Sequence, residues 1–151
     1  MRLPFIVWGL PLLALISIAA PAYAQSPAAT GPVLYDVSKE ITLSGKVSSL
    51  LEKPLAGMIM GSHLLLETAS GMVDASLGRF ALNGKDALSV SAGQPIQATG
   101  VMKTLQGQPV FLVRTIKVND QVYAIRNKRG LALSAQARER LRQSGQTGEQ
   151  P

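Results

Sequence analysis

Hydrophobic positions fall along this chain in two regimes. Phe5 to Ala20 is an almost wholly apolar run, and from Tyr35 onward apolar and polar residues largely alternate. The first run follows the positively charged start Met1-Arg2-Leu3-Pro4 and leads into Pro21-Ala22-Tyr23-Ala24, an A-x-A cleavage pattern. That three-part layout predicts a secretory signal peptide over residues 1–24, cut between Ala24 and Gln25. The alternative is a retained anchor helix. The run has 16 residues and contains Gly9 and Pro11, whereas a transmembrane helix needs about 20 apolar residues. Residues 25–35 open with QSPAATGP, whose small, Pro- and Gly-punctuated composition reads as a disordered lead-in.

The second regime predicts strands. Ile41, Leu43 and Val47 alternate with Thr42, Ser44, Lys46 and Ser48, and Gly45 marks a bulge or bend. Leu50 to Ser62 is a connection broken by Pro54, Gly57 and Gly61. His63 to Leu77 reads as a hairpin turning at Ser70-Gly71. Leu64, Leu66, Thr68, Val73, Ala75 and Leu77 then form its core face. His63, Leu65 and Glu67 lie opposite Asp74 and Ser76 on the exposed or ligand-facing side.

Gly78 to Ser91 predicts a short helix using Phe80, Leu82, Ala87 and Leu88, with a break at Asn83-Gly84. A strand from Ile96 bends at Gly100, Gln106-Gly107-Gln108 turns, and Pro109 to Val118 is the strongest β run in the chain. Asn119-Asp120 turns into a last strand, Val122 to Ile125. Ser134 caps a basic helix, Ala135 to Arg142, and the remainder to Pro151 frays.

The predicted fold class is all-β: a small OB-like barrel of five to six strands over residues 36–133, with one short helix after the third strand. A short basic helix and flexible tail occupy 134–151. Strand order and Gly bends favour the barrel, with a rolled meander or small sandwich as the alternative.

Charge divides this chain. The whole sequence carries 15 Lys+Arg, 9 Asp+Glu and one His, for a net charge of +6. Residues 25–113 balance six basic against six acidic groups, while 114–151 hold eight basic and three acidic ones. The basic segment, with Arg126, Lys128, Arg129, Arg138, Arg140 and Arg142, suits weak electrostatic contact with an anionic membrane or glycan, or simple solubilisation. Nucleic acid is not expected, because a basic groove needs interleaved aromatics and the mature chain has only Tyr35, Phe80, Phe111 and Tyr123. The absence of Cys excludes disulfides, thiolate metal sites and a Cys nucleophile.

Catalytic chemistry finds little support. His63 and Glu67 stand four residues apart, about 13 Å along a strand, beyond bonding reach. A Glu67–Asp74 carboxylate pair reads more simply as a solvated cross-strand pair. Gly78 to Asp86 has one residue too many for a phosphate loop and lacks the Ser or Thr after Lys85. The expectation is therefore a non-enzyme without a cofactor. A binding surface forms on His63, Leu65, Glu67, Asp74 and Ser76, where OB barrels take their ligands. The alternative is a copper protein using Met58, Met60 and His63, because thioether and imidazole together suit Cu(I).

Several stretches carry a family resemblance. Glu40-Ile41-Thr42-Leu43-Ser44-Gly45-Lys46-Val47, Gly61-Ser62-His63-Leu64-Leu65-Leu66-Glu67-Thr68, Gly71-Met72-Val73 and Ser76-Leu77-Gly78 resemble the small exported domains of the magnetosome-protein MamS/MamX type. Ala98-Thr99-Gly100, Gly107-Gln108-Pro109-Val110, Val113-Arg114 and Ile125-Arg126-Asn127 are similar to its later strands. Two positions depart from it. Arg79-Phe80 stands where the family often has Pro and Trp, and Gly93-Gln94 where it tends to have Gly-Asp. The resemblance implies an exported OB-like domain that binds an envelope protein or small ligand, with no settled reaction.

Overall fold

The computed structural model of the protein describes residues 35–145. The predicted signal peptide, all but Tyr35 of the predicted lead-in, and the tail beyond Gly145 lie outside the described residues. Six strands and one helix follow one another: β1 (Ile41–Leu51), β2 (Ser62–Thr68), β3 (Gly71–Gly78), β4 (Pro95–Leu105), β5 (Gln108–Val118), β6 (Gln121–Ala124) and α1 (Ala135–Gln143). A single 3₁₀ turn, Val37–Lys39, precedes β1, and the Asp36 side chain caps it by accepting from the Ser38 amide.

The strands form one sheet in the order β3-β2-β1-β4-β5-β6. A parallel contact, Ala75 beside Phe111 and Ser76 beside Leu112, joins β3 to β5 and closes the first five strands into a barrel. β6 pairs with the other end of the same β5 edge and lies outside the closure. This is the OB-like barrel that the strand pattern predicts.

Alternation builds the core. Val47, Leu64, Leu66, Ala75, Leu77, Ile96, Ala98, Phe111, Val113 and Ile116 point inward and are buried together. A second cluster lies outside the barrel wall, where Tyr35, Val101, Val110 and Leu112 pack with Ile59 from the β1–β2 connection. Its position matters for the candidate site, because it means the connection folds back over the wall.

Glycines allow the tight corners of a barrel this small. A Cβ on Gly45 would run into the Glu67 carbonyl, and one on Gly100 into the Leu112 carbonyl. The register shift in β1 falls between Val47 and Ser49, not at Gly45. In β4 it falls between Thr99 and Gly100, at the predicted bend.

Two expectations are corrected. No helix follows β3: residues 79–94 run as turns, with Leu88 N–H donating to the Ala81 carbonyl at 2.8 Å. Gly84 has φ +90, which stops a helix there, and Ala81 and Leu88 plug the barrel end from the loop instead. The hairpin turn is Ala69-Ser70, one residue earlier than the composition suggests, because Gly71 pairs with Thr68 as the first residue of β3. The face assignment survives, since residues opposite one another share a face.

Candidate functional site

The outer face of the β2–β3 hairpin is only partly available. Cross-strand pairs place His63 beside Ser76, Leu65 beside Asp74 and Glu67 beside Met72. Glu67 is exposed, while Leu65 and Asp74 are half-buried. His63 and Ser76 are 0 % exposed, which corrects their expected place on an open surface. The β1–β2 connection lies over His63: Nε2 is 2.8 Å from the Ile59 carbonyl, and Nδ1 is 2.6 Å from Asp74 Oδ1. Ser76 is covered by Arg126, whose guanidinium donates to both its hydroxyl and its carbonyl.

These contacts also bear on the copper reading. A metal takes the lone pair of an imidazole nitrogen, and both nitrogens of His63 already face oxygen acceptors. Met60 is 69 % exposed and Met58 partly buried. Met58, Met60 and His63 therefore do not form a ready ligand set. Among the described residues no three His, Cys, Asp or Glu side chains gather to hold a metal ion.

The basic segment is largely built into the fold, contrary to its expected role as a free tail. Arg126 is 8 % exposed and donates to Ser76 O at 2.7 Å and Val113 O at 2.9 Å. It fills the point where β3 leaves β5 and β6 begins. Burial without a carboxylate partner brings its guanidinium down to about 10.

Arg138, 6 % exposed, donates to the carbonyls of Phe80, Leu133 and Asn83. Burial lowers its pKa too, against the opposing pull of Asp86. Arg142 pairs with Asp86 at 2.7 Å and Glu139 at 2.6 Å. Lys128 Nζ is enclosed without a hydrogen-bond partner among the described residues. Arg129 and Arg140 remain exposed. The surplus positive charge thus clips α1 and the β6 exit to the barrel.

A further polar cluster holds the other end of β1. Glu40 accepts from Arg114 through both carboxylate oxygens and from the Tyr35 hydroxyl at 2.6 Å. Burial alone would raise the Glu40 carboxyl, but the Arg114 and Tyr35 bonds outweigh it and hold it below the usual range. Burial, followed by the bond to Glu40, pushes the Tyr35 phenol well above its ordinary value. The Glu40 bond chiefly raises Arg114.

A recess on the described surface is lined by cations, neutral polar groups and apolar residues, with no carboxylate. Ser44, Gly45 and Lys46 of β1, Pro95, Ile96 and Gln97 of β4, Lys117 of β5 and Asn119 line a groove of about 550 Å³. The register explains it. Ser44, Gln97 and Lys117 stand side by side across three strands, and Thr42, Thr99 and Thr115 form the next row on that face. Thr42 Oγ1 and Thr99 Oγ1 are 2.8 Å apart.

Each lysine has an exposed acid beside the groove: Asp120 lies 3.9 Å from Lys117 Nζ, too weak a pair to neutralise it, and Glu67 of β2 stands opposite Lys46 across the β1–β2 ladder. Sequence reading missed this groove because its residues come from three separate strands. The available signal was the lack of acidic residues at the outward positions of all three.

No family model matches the chain, and no curated protein matches it in sequence.

Proposed function

We propose that this chain is a non-catalytic OB-like binding or adaptor domain of the bacterial periplasm or cell envelope. Its contact surface is the outer face of β1, β4 and β5 rather than the hairpin beside it. The observation that carries the reading is the groove, a concave surface on the barrel wall that pools two lysines with hydroxyl and amide side chains. The titratable groups with strong partners elsewhere, His63, Glu40, Arg114, Arg126 and Arg138, serve packing and closure. That distribution supports binding over acid–base chemistry, which needs a positioned proton donor or acceptor at an open site. The three-part N-terminal pattern supports export, and the resemblance to MamS/MamX-type domains fits the same compartment.

Cell fractionation with N-terminal sequencing tests the location. The expected product is periplasmic and begins at Gln25, and a chain kept in the membrane fraction with Met1 intact overturns it. Affinity capture from envelope extract, with the wild type and a Lys46→Glu/Lys117→Glu variant in parallel, tests the surface. Loss of the captured species in the variant is expected, and equal capture by both moves the contact elsewhere.

A further inference from the structure

We infer that the β1–β4–β5 groove is a site for an acidic polysaccharide. The inference rests on that groove being the contact surface and names its ligand class. Charge sets the sign of the ligand: Lys46 and Lys117 line the groove, while the acids beside them, Glu67 opposite Lys46 and Asp120 near Lys117, lie outside its lining.

Their spacing sets its form. Lys46 pairs with Pro95 and Lys117 with Gln97, so the lysines are two strands apart and two residues out of step. That separates their backbones by roughly 10 Å across the sheet and about 7 Å along it. Such a pair suits charges repeated along a chain better than one small anion. Ser44, Gln97 and Asn119 offer hydroxyl and amide groups beside the lysines, and the threonine row of Thr42, Thr99 and Thr115 extends them. These groups can both donate to and accept from sugar hydroxyls.

The competing polyanions fit less well. No aromatic side chain lines the groove, so bases have nothing to stack on and a nucleic acid would be held by phosphates alone. An acidic peptide commonly docks by adding a strand to a sheet edge. Here β1 and β4 are interior strands with a neighbour on each side, so their backbone groups are committed to the sheet.

Calorimetric titration of the full-length gene product with polygalacturonate oligomers tests the inference, with neutral dextran and oligo(dT) as comparison ligands. Binding to the uronate that weakens with added salt is expected. Lys46→Gln/Lys117→Gln should lower that affinity by about tenfold or more and leave the thermal midpoint in place. Lys85→Gln/Arg140→Gln, away from the groove, should not. Unchanged affinity in the Lys46/Lys117 variant, equal binding to dextran, or tighter binding to oligo(dT) overturns the inference. The ligand class and the surface can fail separately. If uronate does not bind but inorganic phosphate shifts the amide resonances of Ser44, Gln97 and Lys117, the polysaccharide falls and the groove stands. If neither probe acts, both fall.

Discussion

The imidazole of His63 is held between two oxygen acceptors, Asp74 Oδ1 at 2.6 Å and the Ile59 carbonyl at 2.8 Å. The ring is fully buried and ties the β1–β2 connection to the hairpin. His63→Ala should therefore destabilise the fold by about 2–4 kcal/mol, through a cavity and two abandoned acceptors. Asp74→Asn should cost less, about 1–2 kcal/mol, because it keeps the shape and loses only the charge. Urea unfolding of the two single variants and the double variant gives the coupling between the residues. An intact, equally stable His63→Ala protein would show that the ring is not the latch.

Acid stability should report Glu40. Its folded carboxyl lies below the ordinary 4.5, so its contribution is present above that value and is lost as pH falls through the folded one. Tyr35 acts at the other end. Its folded phenol lies above the ordinary 10.0, so stability should fall as pH rises past 10.0. Glu40→Gln should cost about 2 kcal/mol at neutral pH and flatten the acid limb of a stability-against-pH curve. An acid limb of unchanged slope in the variant would assign the acid loss to other carboxylates.

The barrel was legible because its signals are local. Alternation in Ile41 to Val47 and Pro109 to Val118, with Gly and Asn-Asp turns between strands, sets strand phase without knowledge of what lies outside. The hairpin faces followed from the same periodicity. What covers a face was not legible. His63 and Ser76 sit in phase with exposed Glu67; the fold-back of Ile59 from the adjoining connection covers the first, and Arg126, returning from 50 residues further on, covers the second. The basic segment misled for a related reason. Charge density along a sequence does not tell a solvated arginine from one that satisfies carbonyls 50 residues away, as Arg126 does at Ser76.

Arg126 reinforces the short parallel seam where β3 meets β5. Its NH1 group bridges the Ser76 carbonyl of β3 and the Val113 carbonyl of β5. Replacement by Met keeps the aliphatic stem and leaves both carbonyls bare, at a cost of about 2–4 kcal/mol. Hydrogen exchange should localise the loss, with faster exchange at Ser76, Leu77 and Arg114 before the rest of the barrel. Uniform loss over all strands would mean that closure fails only with global unfolding.

Gly100 tests the corner geometry. A methyl group there meets the Leu112 backbone, including its carbonyl oxygen, and backbone cannot rotate away as a side chain can. Gly100→Ala should destabilise by about 2–3 kcal/mol, as overpacking does in a closed core. Gly107→Ala is a useful contrast, because nothing lies within 4 Å of its added carbon and the penalty comes from φ +77 alone, about 1 kcal/mol. Thermal midpoints in the reverse order would mean that the β4 bend adjusts to the methyl group.

The C-terminal helix should prove to be part of the domain. Ser134 caps it by accepting from the Ala137 amide at 3.2 Å, and Arg138 returns from its second turn to the carbonyls of Phe80, Asn83 and Leu133. The Phe80 and Asn83 carbonyls belong to the irregular loop that plugs one barrel end, so the helix organises a segment with no secondary structure of its own. Arg138→Met should cost about 2–3 kcal/mol and make residues 79–91 the first site of proteolytic cleavage. Arg140→Met, on the exposed face of the same helix, should change stability by less than about 0.5 kcal/mol. Removal of residues 134–151 should cost at least as much as Arg138→Met, since it takes away the same three bonds. A truncated protein as stable as the intact one would return α1 to the role of a free tail.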